Sequence, residues 1–363
     1  MKILFVITRG DTIGGAQVHV LTLANLLKKN GHDVLVSYGG DREGPFSELL
    51  IANNINHISI RGMKREISLF NDLLSILRLR SIINNYKPDI VTLHSSKAGF
   101  IGRISLLFSK IPVLFTVHGW AFTEGIESKK AKFYSKLEGF LGYFTSKIIV
   151  VSEYDKFIAL NHKIILSEKI EVVHNGIKSI NYIKKDIIKE DLDLVMVARF
   201  DEQKDHETLI SACKDIPNIK VHLLGGGPNL SEIKKLVNNL KIENKIVFHG
   251  HTNQVNHILK EADIFLLISN WEGFPISTLE AMNYSLPVIV SDVGGSNEAV
   301  DNNETGYLVE RKNAKQITNY IKLLVEDKKL RLTMGILGKE KLINNFTDEK
   351  MYQKTLRIYK ELL

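Results

Sequence analysis

A chain of 363 residues is too long for one ordinary hydrophobic core and long enough for two domains of common size. Hydrophobic residues at 44% and charged residues at 25% exclude a largely disordered chain, and a single cysteine, Cys213, excludes an internal disulfide or a thiolate metal cluster. The net charge of +7 lies in the first half: residues 1–178 carry 23 basic and 15 acidic side chains, and residues 179–363 carry 25 and 26. A basic half points to an anionic partner there, whether nucleic acid, a phosphorylated acceptor or an acidic membrane surface.

The opening run Met1–Thr8 is too short for a signal peptide, and Arg9, Gly10 and Asp11 break it. No apolar stretch is long enough to span a bilayer, so a cytoplasmic protein is expected. Residues 2–8 read as a strand buried on both faces. Residues 16–30 follow with helical spacing at Val20, Leu23, Leu26 and Leu27. Between them, Gly14 and Gly15 permit close backbone approach, and the helix start offers free N–H groups to an anion. The loop fits neither G-x-G-x-x-G nor a Walker A motif.

Short apolar runs at 34–37, 58–60, 90–93, 113–117, 148–151 and 172–173 continue the alternation of strand and helix. One of them ends at His118-Gly119, a strand-end histidine placed to meet a ligand. The segment from His174-Asn175-Gly176 to Asp191 reads as a linker. The pattern then restarts with strands at 192–197, 221–224, 246–248, 264–268 and 287–290. Arg199 and Lys204 lie just past the first of these, where two cations suit a diphosphate. Gly225 closes the second. After the fourth comes Glu272-Gly-Phe274-Pro275-Ile276-Ser-Thr-Leu-Glu280, with Pro275 in the first turn of a helix and Glu280 one turn inside it. Carboxylates accept paired hydrogen bonds from vicinal hydroxyls, as on ribose or a hexose.

The expected fold class is α/β: two doubly wound, parallel-sheet, Rossmann-like domains facing across a cleft. The expected division is an N-terminal domain over 1–178, a second over 179–345, and a terminal helix over 346–363 that packs back on the first. Asp191-x-Asp193 precedes a strand rather than following one, which argues against a metal site.

In order, Gly14-Gly15, His118-Gly119, His174-Asn175-Gly176, Arg199 with Lys204, and Glu272 with Glu280 resemble the family 4 retaining glycosyltransferases of GT-B architecture, over nearly the whole chain. The resemblance implies that Glu280 holds the donor ribose and that Glu272 contacts the transferred sugar. It places Arg199 and Lys204 on the leaving diphosphate, Gly14 and Gly15 near the donor phosphates, and His118 near the transferred sugar. Gly225, Phe274 and Ile276 complete the donor site, the last two through backbone amides. Pro275 departs from a common glycine in the motif and offers no N–H. The resemblance implies a hexose or N-acetylhexosamine taken from a nucleotide-sugar, with UDP the expected base. It implies no cofactor and no metal.

The basic half suits a lipid-diphosphate-linked glycan acceptor, in assembly of a surface polysaccharide such as capsule or O-antigen. Lys129, Lys130, Lys132 and Lys136, interleaved with aromatics, and a second cluster of Arg61, Lys64, Arg65, Arg78 and Arg80 suit an anionic membrane surface. Peripheral attachment to the inner face of the plasma membrane is the expectation. No nucleic-acid recognition motif is present. A nucleotide-sugar epimerase or glycosyl phosphorylase of related fold, and a non-catalytic nucleotide-binding protein, are the alternatives.

Overall fold

The computed structural model describes residues 1–40, 43–122, 128–182, 184 and 189–363. They form two compact units, one of Met1–Gly176 with Asp348–Leu363 and one of Ile177–Thr347. Residues 183 and 185–188 of the stretch read as a linker lie outside the described residues.

In the first unit, seven strands pair in parallel: β1 (Lys2–Ile7), β2 (Asp33–Gly39), β3 (Asn56–Ile60), β4 (Ile90–His94), β5 (Val113–Val117), β6 (Lys147–Val150) and β7 (Ile170–Val172). Their order is β3-β2-β1-β4-β5-β6-β7. Helices α1 (Gly15–Lys29) and α2 (Pro45–Ala52) bury Val20, Leu23, Leu27, Phe46 and Leu50 against one face. The last helix, α13 (Asp348–Glu361), adds Met351, Tyr352, Ile358 and Tyr359 to that same core. On the other face lie α3 (Leu69–Tyr86), α4 (Ser96–Ser105), α5 (Ser128–Gly142) and α6 (Glu153–Asn161), represented in its core by Leu79, Ile83, Ala98, Ile101, Tyr134 and Ala159. Strands covered on both faces need apolar residues at every position, which explains their continuous apolar runs.

The second unit repeats the plan with six parallel strands: β8 (Leu192–Val197), β9 (Ile219–Leu224), β10 (Ile246–Gly250), β11 (Ile264–Leu267), β12 (Val288–Ser291) and β13 (Gly306–Val309). Their order is β10-β9-β8-β11-β12-β13. Helices α7 (His206–Cys213), α8 (Leu230–Asn239), α9 (Val255–Glu261), α10 (Ile276–Asn283), α11 (Ala314–Glu326) and α12 (Lys328–Asn345) complete it. The edge strand β13 has no counterpart among the expected strands. It is four residues long and opens on a glycine.

In each sheet the direction of strand addition reverses after the third strand. The reversal opens a crevice between the carboxyl ends of β1 and β4, and another between those of β8 and β11. Such switch points are where doubly wound sheets bind ligands.

Candidate functional site

At the first switch point the loop after β1 leads into α1. Gly14 precedes the helix in extended conformation, and its N–H donates to Gln17 Oε1 at 3.2 Å. Gln17 Nε2 donates to the Arg9 carbonyl at 3.0 Å, which braces the loop. Glycine has no side chain to cap the helix, so the first-turn N–H groups at Gly15 and Ala16 stay open to an anion. Across the crevice, Thr8 Oγ1 and Ser95 Oγ share a hydrogen bond of 2.5 Å, and Ala98 N–H donates to Thr8 Oγ1 at 3.1 Å. Ser95 pays for this position with φ +84°, a backbone region that side-chain-bearing residues rarely occupy.

His118 follows β5 and does not stand alone. It forms a cluster with His94, the last residue of β4, and His19 of α1. His94 Nδ1 lies 3.1 Å from His118 Nε2, and the two rings stack at 5.4 Å. His19 meets the His118 ring edge-on at 4.8 Å. The outer nitrogens are engaged too: His94 Nε2 with Thr92 Oγ1 at 3.1 Å, and His19 Nδ1 with Asn175 Oδ1 at 2.9 Å. Because that amide oxygen accepts, His19 carries its proton on Nδ1. Burial holds all three rings neutral. It lowers His19 to about 4 and pushes His94 and His118 well below the usual imidazole range, helped by their mutual repulsion.

The second switch point is built from ions. The loop after β8 runs antiparallel to the segment after β11: Lys204 bridges Ser269, Asp205 N–H donates to the Ile268 carbonyl at 2.9 Å, and Asn270 N–H donates to the Gln203 carbonyl at 2.7 Å. This pairing sets Lys204 against Glu272 as a buried ion pair, with side chains 13% and 6% exposed. Ser269 Oγ donates to Glu272 Oε1 at 2.6 Å, and Gln203 Nε2 donates to Oε2 at 3.2 Å. Both carboxylate oxygens are therefore held before any ligand arrives. Arg199 is not part of this network. Its guanidinium is half exposed and lies 3.7 Å from Asp201.

Two glycines shape the loops around the pair. Gly225 has φ +136°, and a Cβ there would collide with the Ala198 carbonyl beside Arg199. Gly294, after β12, has φ +56°, and a Cβ there would strike the backbone carbonyl of Glu272. Ser291 Oγ, at the end of β12, accepts from Ser269 N–H at 3.0 Å. Phe274 is buried and packs on Phe346 at 5.1 Å, so its side chain anchors the loop in the unit's own core.

Pro275 is the residue just before α10, not a member of its first turn, since the helix begins at Ile276. Its ψ of 121° is extended, and the fixed proline φ fits that position equally well. It provides no side-chain cap, so the first-turn amides from Ile276 onward remain open. Glu280 lies one turn further on. It has no hydrogen-bonding or ionic partner among the described residues, and desolvation pushes its carboxyl up to about 7. A half-buried carboxyl left without donors is prepared for a ligand that brings its own hydroxyls.

Elsewhere in this unit, Asp191 and Asp193 lie at the amino end of β8. Asp193 is taken up by Lys189 at 2.6 Å and His222 at 2.9 Å, and Asp191 by Lys220 at 3.6 Å. Cys213 is buried on α7, which pushes its thiol up to about 12. Residues of these two sites without a role in the sequence-based reading include His19, His94, Gln203, Ser269 and Gly294. Gly294-Gly295 after a strand is the one visible signal among them. The others depend on loops that meet only in the fold.

Two family models tile the chain. One described as Glycosyltransferase Family 4 matches residues 13–179, and one described as Glycosyl transferases group 1 matches residues 179–341. The UDP-Gal:alpha-D-GlcNAc-diphosphoundecaprenol alpha-1,3-galactosyltransferase of Escherichia coli is 30% identical over 340 residues, covering 88% of this chain and 87% of that one. The chain belongs to the family 4 glycosyltransferases. The capsular polysaccharide biosynthesis glycosyltransferase CapM of Staphylococcus aureus is 27% identical, covering 93% of this chain and 92% of its own. The crystal structure of Anabaena Alr3699/HepE with UDP and glucose matches at a TM-score of 0.88 and 20% identity, covering 99% of this chain and 100% of that one. The fold is GT-B.

Proposed function

We propose that this glycosyltransferase moves a hexose or N-acetylhexosamine from a UDP-sugar, with retention at the anomeric carbon, onto a lipid-diphosphate-linked glycan during surface-polysaccharide assembly. The observation that carries the donor half is Glu280, a partnerless carboxyl on the helix that follows the braced Lys204–Glu272 pair. Glu280 accepts hydrogen bonds from the two ribose hydroxyls, and Glu272 from a hydroxyl of the transferred sugar. Arg199 and Lys204 offset charge on the diphosphate as the anomeric C–O bond breaks. The acceptor oxygen attacks from the same face, and its proton passes to the departing phosphate oxygen. The reaction needs no protein nucleophile and no metal. His118, held neutral, hydrogen-bonds the transferred sugar, and the amides at Gly14 and Gly15 approach the phosphates.

The E. coli relative supports the acceptor class, since its name states a diphosphoundecaprenol-linked acceptor and a UDP-galactose donor. Structures of Anabaena HepE with UDP and with UDP-glucose support UDP as the base. No helix among the described residues is long and apolar enough to cross a membrane. We place the enzyme on the anionic inner face of the plasma membrane, where Lys129, Lys130, Lys132 and Lys136 of α5 are all exposed. The test is incubation with a panel of UDP- and GDP-sugars, with and without a polyprenyl-diphosphate-linked monosaccharide. Acceptor-dependent consumption of a UDP-sugar, with an α-linked product from an α-donor by NMR, is expected. Exclusive use of GDP-sugars, or inversion at the anomeric carbon, would overturn the corresponding part.

A further inference from the structure

The three histidines at the first switch point converge through their nitrogens as well as their rings. One nitrogen from each of His19, His94 and His118 lies within 4.8 Å of the other two. His94 Nδ1 and His118 Nε2 are 3.1 Å apart. Two imidazoles on one zinc ion, at about 2.0–2.1 Å each, hold their nitrogens about 3.3 Å apart in tetrahedral geometry. This pair already stands at nearly that spacing. The widest spacing in the cluster must contract by up to about 1.5 Å, which a modest side-chain rotation supplies.

The outer nitrogens are held as metal ligands require. His19 Nδ1 donates to Asn175 Oδ1 at 2.9 Å, which fixes the tautomer and leaves the lone pair on Nε2. His94 Nε2 meets Thr92 Oγ1 at 3.1 Å. On ion binding, the hydrogen shared between His94 and His118 moves to the outer nitrogen of the ring that carries it. For His94 that nitrogen has the Thr92 hydroxyl to accept it. A stacked pair joined by one hydrogen bond is the plainer account of His94 and His118, but it needs only two rings. It does not call for a third imidazole oriented from behind by an amide. His19 and His94 are buried and His118 is partly exposed, so the cluster has one open side for water as a fourth ligand. The donor set selects the ion. No carboxylate or thiolate among the described residues joins the three imidazoles. Such a set suits zinc, cobalt, nickel or copper, and not magnesium or calcium, which take oxygen ligands.

We propose that His19, His94 and His118 form a binding site for a divalent cation of the zinc class, and that the bound ion inhibits transfer by withdrawing His118 from the sugar. The inhibition rests on the reading of His118 as a sugar contact; the site does not. The test is titration of the chelator-stripped full chain with zinc chloride by calorimetry and with cobalt chloride by visible absorption. The wild type is compared with His19→Gln, Asn175→Ala and, as a control, His222→Gln, which alters the His222–His249 pair of the second unit. The wild type is expected to bind one zinc that His19→Gln binds at least about tenfold more weakly, with loss of the tetrahedral cobalt band. Asn175→Ala, which only releases the His19 ring, should weaken binding by about tenfold, and His222→Gln should leave it unchanged. Half-inhibition of transfer should require at least about tenfold more zinc in His19→Gln, each protein being measured against its own zinc-free rate. Thermal melts check folding, and His118→Gln, at the partly exposed ring, serves if His19→Gln is unfolded. No zinc binding by the wild type, binding that His19→Gln or His118→Gln retains in full, or equal binding of magnesium overturns the site. Zinc bound at this site with turnover undiminished keeps the site and overturns the sugar role of His118.

Discussion

The two switch points of this glycosyltransferase solve the same problem with opposite chemistry. At the first, the imidazoles of His19, His94 and His118 converge, the first two fully buried, with no counter-ion among the described residues, and desolvation lowers all three. At the second, Lys204 and Glu272 face one another as an ion pair, and Ser269 and Gln203 hold the carboxylate. Burial alone does not determine whether a group is ionic; its partner does. The lesson extends to Glu280, which sits near the charged pair in sequence, has no partner and behaves like the histidines.

The largest effects are expected where the ion pair is broken. Lys204→Ala removes the proposed diphosphate partner and leaves Glu272 buried without its cation. Turnover should fall by roughly two to three powers of ten, and stability by about 3 kcal/mol. Arg199→Ala should lose turnover on the same order with little change in stability, because Arg199 is half exposed and bound only at a distance. Steady-state kinetics beside thermal denaturation separates the two. Equal destabilisation by both variants would erase the distinction between the braced and the free cation.

Next in size is Gly294→Ala. Its Cβ would strike the Glu272 carbonyl, so the loop must move, and a displacement near 1 Å can cost about a hundredfold in turnover. Wild-type kinetics in this variant would mean that Glu272 is not held to a fixed place.

Glu280 is expected to give a pH signature. Only its ionised form accepts from both hydroxyls of a diol, so donor affinity should be flat above pH 8 and fall by about tenfold for each unit below 7. The folded carboxyl titrates near 7 and the unfolded one near 4.5, so the folded state binds the extra proton between them. Stability from this group therefore falls as pH rises through that window. Glu280→Gln should be more stable than wild type at pH 8, by roughly 1–3 kcal/mol, while binding donor worse. A thermal melt at pH 5 and pH 8 reads the difference, and a gain at pH 5 alone would reverse the assignment.

The smallest effect belongs to the neutral cluster. His19 titrates near 4 when folded and near 6.5 when unfolded. Its contribution is complete above 6.5 and is lost as pH falls toward 4. Relative to His19→Gln, the wild type should lose stability over that range, and Asn175→Ala, which removes the His19 acceptor, should lower stability by about 1 kcal/mol above pH 6.5. A difference between the wild type and His19→Gln that does not change between pH 6.5 and 4 would mean that His19 titrates alike in the folded and unfolded chain.

Much of this was legible in the sequence, because the fold and the donor motif rest on local patterns. Continuous apolar runs alternating with helical spacing gave both sheets, and strand-end glycines, cations and carboxylates pointed to loops that lie at the two switch points. What remained hidden depended on distant segments meeting. Nothing near Lys204 in sequence shows that the loop after β8 pairs with the segment after β11, so its capture by Glu272 across 68 positions was unreadable. His19, His94 and His118 come from three elements and look unrelated in a linear chain. In α3 and α5 the cations stood out, but the burial of Asp72 and Glu138 depends on their partners Lys97 and Arg103 on α4. Pro275 was misplaced by one residue because its fixed φ suits both the position before a helix and the first position within it.

The central claim is that the partnerless Glu280 grips the nucleoside of the donor. Calorimetric titration of UDP into the wild type and Glu280→Ala at pH 8 tests it most directly, since UDP carries the ribose and diphosphate but no sugar. The account predicts binding at least tenfold weaker in the variant, with His118→Ala binding UDP as the wild type does. Equal UDP affinity in the wild type and Glu280→Ala would contradict it.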